Sequence, residues 1–141
     1  MNSVVSVFAD ERTLTELDAV RIRRCVRHAE PDSAPYPPLD DVLDSASVVP
    51  GPQVRPDVVT MHSRVRLRLV PGDQRLDVTL CYPGHAAPAR GHVSVLSPLG
   101  SALIGRAVGD LAQWRTPDGE PRRAEVVELL FQPEASGDYV L

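Results

Sequence analysis

The sequence predicts an α+β fold: a short N-terminal antiparallel helical hairpin, then a bent antiparallel β-sheet carrying one short helix. Three observations carry that expectation. Apolar residues recur at helical spacing as far as Ala46. Pro50-Gly51-Pro52 then breaks the chain, and from Val58 onward the apolar period falls to two. The break divides residues 1–53, the hairpin, from residues 54–141, the sheet domain. With 141 residues and 43% hydrophobic composition the chain can bury a core, and at 4% aromatic that core must be aliphatic.

The first helix is expected to begin at Thr13, with Glu16 three residues later completing a capping box. Leu14, Leu17, Ile22, Cys25 and Ala29 fall on one stripe, with Arg12, Arg23 and Arg27 on the opposite face. Asp18 and Arg21 interrupt the stripe. At i, i+3 they can pair with each other, or they can reach a polar group on the neighbouring domain. Four prolines between residues 30 and 38 make the turn, and Glu30 and Asp32 lie at its tip. Leu39, Val42, Leu43 and Ala46 mark a second, shorter helix, with Asp40 and Asp41 favouring its positive dipole end.

In the second half, Val65, Leu67 and Leu69 alternate with Arg64, Arg66 and Arg68, the pattern of a half-buried strand. Pro71-Gly72-Asp73 turns the chain, and Leu76, Val78, Leu80 and Tyr82 form the returning strand. A loop over residues 84–91 leads to a strand over 92–96. Ser97-Pro98 then opens a short helix, because proline at the first helical position loses no donor and Ser97 can cap. Gly105 and Gly109 end it. Strands over 111–115 and 126–131, joined through Pro117-Asp118-Gly119, complete the sheet.

Composition excludes several functions. All fifteen basic residues are arginine, so a phosphate-loop NTPase and Schiff-base chemistry lack their lysine. The net charge of −4 has the wrong sign for a protein that grips nucleic acid through its phosphates, so proteins are the expected partners. Val4, Val5, Val7 and Phe8 are too short and interrupted a run for a signal peptide, which leads us to expect a cytoplasmic chain with Cys25 and Cys81 reduced.

Candidate chemical sites are few. Cys81, His85 and His92 match no compact zinc spacing and lack a fourth ligand. No G-x-S-x-G elbow surrounds Ser63, Ser97 or Ser101. No metal, cofactor or catalytic residue is therefore expected. The arginine row on the first sheet strand reads as a solvated face paired with Asp77 and Asp73, or as a docking surface for an acidic partner.

The block Ser97-Pro98-Leu99-Gly100-Ser101-Ala102-Leu103-Ile104-Gly105, with Val108-Gly109-Asp110, closely resembles the C-terminal domain of the bacterial Gre transcript-cleavage factors. Ser63-Arg64-Val65 matches the start of that domain. Met61-His62, Tyr82-Pro83 and the ending Gln132-Pro133-Glu134-Ala135-Ser136-Gly137-Asp138-Tyr139-Val140-Leu141 resemble the short, Rnk-type members of the family. The likeness covers residues 57–141 well and the first fifty loosely.

The resemblance implies an FKBP-like sheet and a non-enzymatic regulator that binds RNA polymerase at its secondary-channel rim, with no membrane and no sequence-specific nucleic acid contact. Leu96, Ser97 and Pro98 would make the rim contact, with Leu99 behind them. Gre factors tend to carry an acidic residue where this chain has Leu96. In those factors a long hairpin brings tip carboxylates to the polymerase's catalytic Mg²⁺, a hard cation that prefers oxygen ligands. Glu30 and Asp32 occupy the corresponding tip here. Fifteen to seventeen helical residues span roughly 22–26 Å, so this arm should stop short of the metal and leave transcript cleavage unstimulated. Two other functions stay open: a prolyl isomerase or peptide-binding domain, for which aromatics are scarce, and direct regulation of a nucleotide-metabolising kinase.

Overall fold

A computed structural model describes residues 11–29 and 38–140. Strand β1 (Thr13–Thr15) leads into helix α1 (Glu16–Arg27), and helix α2 (Leu39–Ser45) leads into strand β2 (Ser47–Val49). β1 and β2 pair in parallel, Thr13 opposite Ser47 and Thr15 opposite Val49. The helix therefore starts later than the Thr13–Glu16 spacing predicts. Thr15 is its cap, the hydroxyl accepting the Asp18 N–H at 3.1 Å. Thr13 and Thr15 are β-branched and suit an extended chain, and the pairing with β2 outweighs one more helical turn.

Arg12 also departs from its expected exposed position: it is buried, and its Nη1 donates to the carbonyls of Ser101 at 2.6 Å and Ile104 at 3.3 Å. The backbone reinforces this stitch, since the Thr13 N–H donates to the Gly105 carbonyl at 3.1 Å. Gly105 has φ +80°, and a Cβ there would stand 3.0 Å from both the Arg12 Cβ and the Thr13 carbonyl oxygen. Glycine meets both demands.

The main sheet has the order β5-β4-β3-β7-β6. At its centre β3 (Arg64–Val70) pairs antiparallel with β4 (Arg75–Cys81) and with β7 (Pro121–Phe131), and β7 pairs antiparallel with β6 (Leu111–Arg115). The sheet is not wholly antiparallel, as the alternation suggested. β5 (His92–Ser94) lies parallel to β4, because the loop through Pro83–His85 and Pro88–Arg90 returns the chain before β5 begins. Strand β7 starts five residues earlier than expected. Arg122, Arg123 and Glu125 mask the alternation there, yet β7 is paired along both edges. Two register shifts between β3 and β7 bend the ladder.

One aliphatic cluster joins the layers. Val65, Leu67, Val78, Leu80 and Val126 come from the sheet, and Leu103 and Ile104 from the end of helix α3 (Pro98–Leu103) and its cap. Leu14, Ile22, Leu39, Val42 and Leu43 of the N-terminal segment pack into the same cluster. On the sheet's outer face the arginine row is answered by carboxylates. Arg66 makes a two-point contact with Asp77 at 2.9 and 3.1 Å, and Arg68 meets Glu125 at 2.9 Å. These cross-strand pairs favour the solvated face over an acidic-partner surface.

Candidate functional site

The turn between β5 and α3 is built by serines. The Ser94 carbonyl accepts the Ser97 N–H at 3.0 Å and the Ser97 hydroxyl at 2.6 Å, while the Ser94 hydroxyl accepts the Leu96 N–H at 3.0 Å. The Ser97 Oγ in turn accepts the Gly100 N–H at 3.1 Å, the helix cap its position before Pro98 predicts. Gly100 is buried against the preceding strand: a Cβ would overlap the Ser94 carbonyl and stand 3.0 Å from the Val95 Cα. Backbone touches backbone here, so the turn has one shape. Leu96 and Leu99 each bury part of their side chain against the core, and together with Ser97 and Pro98 keep part of their surface open. Leu99 is thus shared between core and surface.

Of the expected tip residues, Glu30 and Asp32 lie outside the described residues. The Cys81 thiol is buried and donates to the Val93 carbonyl at 3.4 Å. Among the described residues, no group of three or more His, Cys, Asp and Glu side chains is placed to hold a metal ion. No described helix is long and apolar enough to cross a membrane.

A second constellation lies where α1 meets the sheet. The Asp18 Oδ2 accepts the Met61 N–H at 3.0 Å, so of the two roles open to this carboxylate the inter-element one is realised. Arg21 likewise reaches across, its Nη2 donating to the Val140 carbonyl at 3.3 Å. His62 follows with φ +68°, a left-handed conformation uncommon for a non-glycine residue, and its ring meets Tyr82 edge-on at 5.5 Å. The Thr60 hydroxyl bridges Ser63 at 2.9 Å and the Glu134 carboxylate at 2.7 Å. Gln132 donates to the Arg55 and Val58 carbonyls at 2.8 and 2.7 Å.

Electrostatics follow from burial. Desolvation pushes the Asp18 carboxyl up to about 6, the nearby Glu134 adding to the rise while the Met61 N–H and the Thr15 hydroxyl oppose it. Desolvation also raises the Tyr82 phenol, with Asp18 assisting, and lowers the His62 imidazole, with His85 and Arg21 assisting. The sequence signal for this junction was Asp18 within an apolar stripe; the left-handed His62 had none. The junction gathers residues from the separate short-member motifs: Met61-His62, Tyr82 and the tail from Gln132. Its chemistry is that of a clasp holding α1 to the sheet.

Sheet order, motif helix and serine-built turn define a class, and comparison with known proteins identifies it. The family model described as "Transcription elongation factor, GreA/GreB, C-term" matches residues 53–130, and the chain belongs to that family. It is similar to the Escherichia coli (strain K12) "Regulator of nucleoside diphosphate kinase", 40% identical over 132 residues covering 91% of this chain and 95% of that one. A Transcription elongation factor GreA from Prosthecochloris aestuarii is 38% identical over 96 residues, covering 67% of this chain and 59% of that protein. Among solved structures, the "Prokaryotic transcription elongation factor GreA/GreB from Nitrosomonas europaea" superposes with a TM-score of 0.70 at 33% identity. That likeness covers 85% of this chain and 99% of that one.

Proposed function

We propose that this chain is a non-enzymatic regulator that docks on RNA polymerase at the rim of the secondary channel. Residues 54–141 serve as an FKBP-like docking domain, and Leu96, Ser97 and Pro98 make the contact with Leu99 behind them. The observation that carries this reading is the β5–α3 turn. Its hydrogen bonds fix the backbone before any partner arrives, which lowers the ordering cost of binding. Leu96 in place of an acidic residue makes the contact more apolar than in Gre factors.

The arm supports occupancy of the channel mouth rather than work at the metal. Helix α1 has 12 residues and α2 has 7, which at 1.5 Å per residue is about 18 and 10 Å. Helices of that length make a short arm, and the chain competes with longer channel-binding factors without stimulating cleavage.

Core polymerase pulled down with the tagged chain is the direct test. Pro98→Glu places a carboxylate on the contact while leaving a residue tolerated in a helix's first turn. We expect this variant to lose at least roughly tenfold in affinity, as for desolvating an unpaired charge, with its melting temperature nearly unchanged. Absence of polymerase binding by the parent chain at micromolar concentration, with co-purification of a nucleotide kinase instead, overturns the proposal.

A further inference from the structure

Two sets of polar contacts tie helix α1 and the segment between β2 and β3 to the rest of the fold, and they differ in burial. The first set is shielded from water. Asp18 is buried and accepts the Met61 N–H at 3.0 Å. Just after β7, Gln132 is 4% exposed and donates to the Arg55 and Val58 carbonyls, and Glu134 accepts the Thr60 hydroxyl at 2.7 Å. These contacts root the tail on residues 55–60.

The second set lies further along the tail. A short turn over Glu134–Ser136 ends at Gly137, whose φ of +92° suits glycine and reverses the chain. The Asp138 N–H then donates back to the Pro133 carbonyl at 2.9 Å. This reversal brings residues 139 and 140 to the arm. The Tyr139 ring lies over Gly51, where an added Cβ would stand 3.5 Å from its Cδ1. The Val140 carbonyl accepts from the Arg21 Nη2 of α1 at 3.3 Å. Here water has ready access, since Tyr139 is 45% and Val140 75% exposed.

We propose that residues 132–140 form a strap with a fixed root and a releasable end, and that the end, closed on Gly51 and Arg21, holds α1 against opening from the sheet. The asymmetry has a physical cause. Breaking the root would leave buried amide, carbonyl and hydroxyl groups unpaired, which is costly. The end faces water, which replaces its hydrogen bond as it parts, so its opening belongs to the low-energy motions of the fold. That release precedes the larger motion that draws Ile22 out of the core cluster. The strap thereby controls the arm through residues separate from the β5–α3 turn, and the inference does not depend on polymerase docking.

Hydrogen exchange of the full chain, of a chain shortened by residues 138–141 and of Tyr139→Ala tests the strap. In the parent, the backbone amides of α1 should exchange faster than those of β3 and β7, because the arm opens by itself. Shortening should accelerate the α1 amides roughly tenfold or more, the effect of losing one hydrogen bond and a partly buried ring. Tyr139→Ala keeps the Val140 carbonyl, so the same amides should accelerate by a smaller factor. The proposal is overturned by α1 exchange that shortening leaves unchanged. It is equally overturned if α1 is protected in the parent to the same degree as β3 and β7, since the arm would then have no opening of its own for a strap to restrain.

Discussion

Gly100→Ala is expected to destabilise the chain by about 3–5 kcal/mol, at the severe end for a single methyl group. The added Cβ would overlap the Ser94 carbonyl and press on the Val95 Cα, and neither obstacle is the flexible end of a side chain. Relief requires the β5–α3 turn to open. That motion would break the contacts of Ser97 with the Ser94 carbonyl and the Gly100 N–H, and lift Leu103 and Ile104 from the core. Each kcal/mol is worth roughly 2–4 °C in a domain near this size, so melting should fall by roughly 6–20 °C. Gly84→Ala is the matched control: nothing lies within 4 Å of a Cβ there, and its φ is not in the left-handed region. Thermal unfolding of the two variants beside the parent decides the matter. Equal melting temperatures for Gly100→Ala and Gly84→Ala would show that the close approach carries no energetic weight.

The second large effect concerns pH. Burial raises the folded-state pKa of Asp18 from 3.8 to about 6, so the folded chain holds a proton that the unfolded chain releases. This group's stabilisation is complete below about pH 3.8 and is lost as pH rises through about 6. A shift of that size corresponds to about 3 kcal/mol. His62 acts in the opposite sense: its pKa is lowered, so its contribution is lost as pH falls below its unfolded value of 6.5. The two slopes overlap in the parent chain, and a variant must separate them. Asp18→Asn keeps an oxygen to accept the Met61 N–H but cannot ionise. Urea unfolding between pH 4 and 8 should show the variant gaining on the parent as pH rises. The advantage should approach the size of the shift, less the contact with the Thr15 hydroxyl. A stability difference independent of pH would mean that Asp18 ionises freely in the fold.

Much of the architecture was legible because local signals coincide with their causes. Ser97 before Pro98 reads as a helix start, and the structure shows the cap hydrogen bond to the Gly100 N–H. The period-two runs over 64–69 and 76–82 are strands because one face of each packs on the core. The candidate turn could be located by its sequence block, but not its rigidity, which depends on Ser94 reaching past Leu96 to meet Ser97. Where the reading departed, a distant partner had won. Thr13 left the helix to pair with Ser47, thirty-four positions away, and Arg12 left the solvent for the carbonyls of Ser101 and Ile104.

By its residues alone, the chain declares where it must bend, where it must alternate and which family block it carries, because capping, φ restriction and period act between near neighbours. Tertiary structure decides which polar groups are buried together. The Asp18 carboxylate beneath Met61, the left-handed His62 beside Tyr82 and the buried Arg12 guanidinium on the Ser101 and Ile104 carbonyls all arise between elements remote in sequence. Their energies depend on desolvation and approach, and those quantities exist only once the helices have closed on the sheet.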